Sequence, residues 1–108
     1  MSADSGTAVQ QAIKRLAGGE SLSSADARAT FALVMAGEAS PIQIAALLTA
    51  LRVKGETASE VAGVVQAMRS AMVRLRAESP EELVDTCGTG GGTVQTFNVS
   101  TAAALGAA

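Results

Sequence analysis

The stretch SPIQIAALLTALRVKGETASE, residues 40–60, carries one helix, its stop and the start of a second helix. Ser40 offers a side-chain oxygen at a helix cap, Pro41 suits the first helical position, and Gln43 completes a capping box. Ile44, Leu47, Leu48 and Leu51 then recur at helical spacing and predict one buried face. Lys54 places a cation in the last turn and Gly55 stops the helix. Thr57-Ala58-Ser59-Glu60 is a second capping box, so another helix follows after a short turn, as expected for antiparallel neighbours.

Working outward, the same grammar repeats. Val61, Val64, Val65, Met68, Met72 and Leu75 predict the buried face of the helix that Thr57 opens. Upstream, Ser23 and Asp26 form a Ser-x-x-Asp start, with Leu22 before the cap as a staple. Phe31, Val34 and Met35 are expected to face inward, and Gly37 to end that helix. The first helix is expected to be capped by Thr7, to carry Val9, Ala12, Ile13, Leu16 and Ala17, and to stop at Gly18-Gly19. Residues 1–77 therefore read as a four-helix domain with orthogonal or antiparallel packing. The hydrophobic content of 48% suffices for a core, and with only Phe31 and Phe97 aromatic that core must be aliphatic.

Downstream the style changes. Residues 76–82 (RAESPEE) read as a polar linker, and Leu83–Cys87 as a short strand. The run GTGGGTVQTFNVSTAAALGAA follows. Strand, glycines and a helix start in that order suit a phosphate-binding loop, because glycines let backbone N–H groups converge on an anion and a helix N-terminus adds its dipole. Thr96, Asn98, Ser100 and Thr101 add side-chain donors. A Walker loop is excluded because no lysine follows Lys54, and a dinucleotide fingerprint because position 93 is threonine. Cys87, the one cysteine, is expected to be a small buried residue and excludes an internal disulfide. The chain has no histidine, a net charge of −2 and no basic aromatic surface, which speaks against imidazole chemistry and against nucleic-acid binding. No apolar run reaches membrane-spanning length and no leader pattern opens the chain, so a cytoplasmic protein is expected.

Asp85-x-x-Gly88-Thr89-Gly90-Gly91, followed by Thr96-Phe97-Asn98-Val99-Ser100-Thr101-Ala102-Ala103, resembles the signature of anthranilate phosphoribosyltransferases. Residues 35–46 and 51–57 are similar to the helical domain of the same family. The resemblance implies a helical domain followed by an α/β domain, here represented by residues 78–108 and incomplete. It implies an enzyme that transfers the phosphoribosyl group of phosphoribosyl pyrophosphate to anthranilate on the route to tryptophan. Magnesium would assist departure of pyrophosphate, and homodimers would form through the helical domain. Carried over by position, Gly88 would lie where the substrates meet. Gly91, Gly92, Thr96, Asn98, Val99, Ser100 and Thr101 would hold phosphoribosyl pyrophosphate, and Ser100 would also meet magnesium. No residue here is expected to act as nucleophile or base. The usual Gly-Thr-Gly-Gly-Asp-Gly departs to Gly92 and Thr93, which removes a carboxylate and should alter metal handling.

Further residues of that family's site, a lysine loop and an acidic pair, are expected beyond Ala108, so the chain is read as an N-terminal fragment, inactive alone. A pyrimidine nucleoside phosphorylase would show a lysine and histidine where Asp85-Thr86-Cys87-Gly88 stands, which disfavours that alternative. A non-catalytic helical interaction module is the alternative of another class.

Overall fold

The computed structural model describes residues 3–90 and 97–108. The chain divides into two units, Met1–Val73 and Arg74–Ala108. The first holds α1 (Ala3–Ala17), α2 (Ser24–Met35), α3 (Pro41–Lys54) and α4 (Ala58–Ala71). Among its described residues the second holds a 3-10 turn at Pro80–Glu82 and α5 (Val99–Ala107).

The expected caps are in place on three helices. Ser40 Oγ accepts the Gln43 N–H at 3.2 Å and Gln43 Oε1 accepts the Ser40 N–H at 2.9 Å. Thr57 and Glu60 repeat the exchange at 3.2 and 2.8 Å. At α2 only half the box forms. Ser23 Oγ accepts the Asp26 N–H at 3.0 Å, but the Asp26 carboxylate turns to Arg15, 3.0 Å away. That pair is exposed and screened, so it contributes little. Gly19 and Gly37, at φ +85° and +75°, supply the left-handed residue that closes α1 and α2. α1 begins at Ala3, so Thr7 lies inside the helix and not at its cap. Nothing stronger than Gly6 interrupts helix formation between them, and the helix runs one turn further than expected.

α2 packs most extensively on α4, α1 packs on α3, and α1 also meets α2. Ala12, Leu16, Leu22, Ala27, Phe31, Leu47, Leu51 and Ala67 form the core, with Ile13, Val34, Ala50 and Val64 against it. Burial of Leu22 and Ala27 in one cluster is consistent with the expected staple at the start of α2.

The face of α4 differs from expectation. Glu60, Gly63 and Ala67 are buried, whereas Val61, Val65, Met68 and Met72 are about half exposed and Leu75 lies beyond the helix, almost fully exposed. The reason is backbone proximity. A Cβ on Gly63 would overlap the Ser24 carbonyl oxygen and lie 2.9 Å from both Ala27 Cβ and Arg28 N. Only small residues fit this crossing, so Val61, Val65, Met68 and Met72 are rotated outward, while Val64 keeps contact with the core. Met35 and Leu48, also expected inside, are 45% and 51% exposed.

A charged group, Glu60, sits in the core and is 1% exposed. Its Oε1 accepts the Leu22 N–H at 2.8 Å, and its Oε2 accepts the Thr57 N–H at 2.8 Å and Lys54 Nζ at 3.0 Å. Lys54 Nζ also donates to Gly55 O at 2.7 Å. Burial pushes the Glu60 carboxyl up, but the Thr57 and Leu22 amides and the Lys54 ammonium outweigh it and lower it from 4.5 to about 2. A carboxyl depressed in the folded state stabilises above its unfolded value and loses that contribution as pH falls through its folded value. Thermal unfolding followed by far-UV circular dichroism should therefore show a fall in Tm between about pH 4.5 and 2. The fall should be much flatter in Glu60→Gln; equal slopes would mean Glu60 is not the group responsible.

In the second unit, Leu83–Cys87 is irregular and not the expected strand. A strand needs a neighbour for its N–H and C=O groups, and no other strand is present among the described residues. Leu83 and Val84 are consequently 67% and 75% exposed. Cys87, expected to be buried, is exposed for the same reason.

Candidate phosphate-binding site

The candidate site belongs to the second unit. Asp85 opens it with a local bond, its Oδ1 accepting the Cys87 N–H at 2.8 Å. This is an Asx turn, in which the side chain two residues back takes the place of a backbone carbonyl. The next amide, Gly88 N–H, donates to Ser100 Oγ at 3.2 Å across twelve residues. A Cβ on Gly88 would make ordinary contact with that hydroxyl at 3.5 Å, so the bond itself does not demand glycine. Gly90 has φ +74°, a conformation that favours glycine, and it bends the chain after Thr89.

Asn98 stands at the cap position of α5 without a side-chain cap bond. The Val99 N–H turns back to Phe97 O at 2.7 Å, and the first bond of the helical ladder runs from Ala102 N to Asn98 O at 3.2 Å. The amides of Ser100 and Thr101 therefore have no acceptor within the helix, as in any first turn. Together with the Ser100 and Thr101 hydroxyls they form a surface that suits an anion. Asn98, Val99 and Thr101 are exposed and Ser100 is partly buried.

The structure thus brings Gly88 to Ser100 and gathers Asn98, Val99, Ser100 and Thr101 at the start of one helix. Gly91, Gly92 and Thr96 lie outside the described residues. Asp85 was legible only as part of a motif. Its i to i+2 spacing to Cys87 is the signal that marks a side-chain turn. The described residues hold no group of three or more His, Cys, Asp or Glu side chains able to bind a metal. Ser100 Oγ offers one neutral oxygen. That fits magnesium as a single ligand, since this ion commonly keeps waters and takes most other ligands from substrate phosphates.

A family model described as "Glycosyl transferase family, helical bundle domain" matches residues 10–72, which fall within the four-helix unit. The chain belongs to this glycosyl transferase family. Over 97 residues it is 50% identical to proteins named anthranilate phosphoribosyltransferase from Pelotomaculum thermopropionicum and Rubrobacter xylanophilus, covering 90% of this chain and 28% of each relative. A third, from a Chelativorans species, is 51% identical over 93 residues, covering 86% of this chain and 27% of its own length. An alignment of 97 residues is longer than the first unit and so reaches beyond the helical bundle. The chain spans about 28% of the length of the first two of these glycosyl transferase family relatives. No solved structure matches it. No helix among the described residues is long and apolar enough to cross a membrane.

Proposed function

We propose that the protein transfers the phosphoribosyl group of phosphoribosyl pyrophosphate to the amine of anthranilate, releasing pyrophosphate and giving N-(5-phosphoribosyl)anthranilate. The observation that carries the reading is 50% identity, over 90% of this chain, to proteins named for that activity. The local geometry supports it. The Ser100 and Thr101 amides and hydroxyls at the start of α5, with Gly88 against Ser100, offer donors suited to a diphosphate. Asn98 and Val99 border this surface. Hydrogen bonds to charged groups are worth about 1.5–3 kcal/mol each, so three or four converging donors suffice to hold the ligand.

None of these groups is a nucleophile or base. Their part is to position the phosphoribosyl donor and to stabilise charge that develops on the leaving pyrophosphate. Magnesium, when bound, would neutralise part of that charge, with Ser100 as one ligand. Association into a homodimer through the helical unit is part of the same proposal. It is supported by the apolar side chains of Leu48, Val61, Val65, Met68 and Met72, which the bundle leaves about half exposed. Residues 1–108 alone are proposed to be inactive, because they span so little of the relatives' length.

The test is turnover by the full-length protein. With magnesium and phosphoribosyl pyrophosphate present, anthranilate fluorescence should disappear as product forms. A full-length protein that leaves anthranilate untouched but phosphorolyses pyrimidine nucleosides would overturn the assignment.

A further inference from the structure

We infer that Asp85 is a positioning residue for the phosphate site, acting through two successive hydrogen bonds that end on the Ser100 hydroxyl. The inference rests on the functional reading above. The first bond, Cys87 N–H to Asp85 Oδ1 at 2.8 Å, fixes the direction of the chain across Asp85, Thr86 and Cys87. It also occupies the Cys87 amide, so of two consecutive N–H groups only the second is directed at the helix. That second group, Gly88 N–H, lies 3.2 Å from Ser100 Oγ.

A serine hydroxyl has one hydrogen and two acceptor lone pairs. With one lone pair engaged by Gly88, the hydrogen and the remaining lone pair share the other directions. The rotation of the hydroxyl is thereby restricted before any ligand arrives. An anion then meets an O–H already oriented to donate, and a cation meets a lone pair already oriented to accept. The gain is preorganisation, since less rotational freedom is left to lose on binding. Asp85 touches neither ligand in this account. Its negative charge would by itself oppose an anion, so its value lies in geometry and not in its charge.

This separates two substitutions. Asp85→Asn keeps an oxygen at the same place and can hold the turn. Asp85→Ala cannot. In nitrogen–proton spectra of the 108-residue chain, Asp85→Ala should shift the Cys87 and Gly88 amides upfield, and Ser100→Ala should shift Gly88 but not Cys87. Asp85→Asn should leave both close to their original positions. In the full-length protein, Asp85→Ala should raise KM for phosphoribosyl pyrophosphate about 3–10-fold, the worth of one ordinary hydrogen bond. KM for anthranilate should change little, and Asp85→Asn should recover most of the loss. An Asn variant as impaired as the Ala variant would mean that the charge matters and would overturn the inference. So would an unshifted Gly88 amide in Asp85→Ala. If the wild-type protein has no phosphoribosyl transfer activity, the functional reading fails and the role at the site fails with it. The spectra would still judge the two hydrogen bonds separately.

Discussion

Glu60→Ala should cost the helical unit about 3–5 kcal/mol, the loss typical of removing one member of a buried ion pair. The magnitude follows from what the carboxylate touches. Removing it leaves the Lys54 ammonium, whose side chain is 8% exposed, without its counter-charge. It also strips the Leu22 and Thr57 amides of their acceptor. An unsatisfied buried donor costs about 1–3 kcal/mol, so the amides alone account for much of the loss. Stabilities of small domains lie near 5–15 kcal/mol, and a loss of this size would leave the bundle close to its limit. Urea unfolding of the 108-residue chain, monitored by helical circular dichroism, measures it. A double replacement of Lys54 and Glu60 by apolar residues should recover only part, because the two amides remain unpaired. A loss under about 1 kcal/mol for Glu60→Ala would show that water reaches the site and replaces the carboxylate.

Gly63→Ala should destabilise the same unit by about 1–3 kcal/mol, even though alanine is the better helix former. Two effects oppose each other. Alanine gains about 1 kcal/mol of helix propensity over glycine at an interior position. Against this, its Cβ would overlap the Ser24 carbonyl oxygen and press on Ala27 Cβ and Arg28 N at 2.9 Å. Two of these three neighbours are backbone atoms, so no rotamer change relieves the overlap, and α2 and α4 must move apart along their most extensive contact. The clash therefore outweighs the propensity. Gly63→Leu should be worse, with loss of a cooperative thermal transition. Gly106→Ala, where nothing lies within 4 Å of the added carbon, serves as a control that should lose nothing. A Gly63→Ala protein that melts above wild type would mean that the α2–α4 crossing has room for a methyl group.

These two residues also show where the sequence was legible and where it was not. The capping boxes at Ser40 and Thr57 were read correctly because a cap is a local device, decided by four consecutive residues. The existence of four helices followed from the same local grammar. The phase of α4 did not. Residues 60, 63 and 67 share a helical face as well as residues 61, 65, 68 and 72 do, and weighting by side-chain size favours the second set. The structure buries the first set, because close backbone approach rewards small side chains, and Glu60 because three donors await it. Neither fact can be seen without α2 and the residues before it. The strand expected at Leu83–Cys87 is a similar case. Its pattern was sound, but strands are stabilised by partners distant in sequence, and the described residues include none. At the candidate site the start of α5 and the hydroxyls were visible, whereas the pairing of Gly88 with Ser100 across twelve residues was not.

The small residues between α2 and α4 carry a thermodynamic consequence of their own. Ala27, Gly63 and Ala67 have no side-chain torsions to freeze, so at these three positions the contact costs almost nothing in rotamer entropy. The α1–α3 side is different. It is built on Leu16, Leu47 and Ile13, each of which surrenders torsional freedom on burial, and an apolar groove lined by Ile13, Ala46, Ala50 and Val53 runs along it. The bundle therefore joins one pair of helices through the near contact of their main chains and the other through the interlocking of longer side chains. The rotamer freedom given up at the contact is therefore larger where Leu16, Leu47 and Ile13 meet than where Ala27, Gly63 and Ala67 meet, and the free-energy cost of that loss grows with temperature.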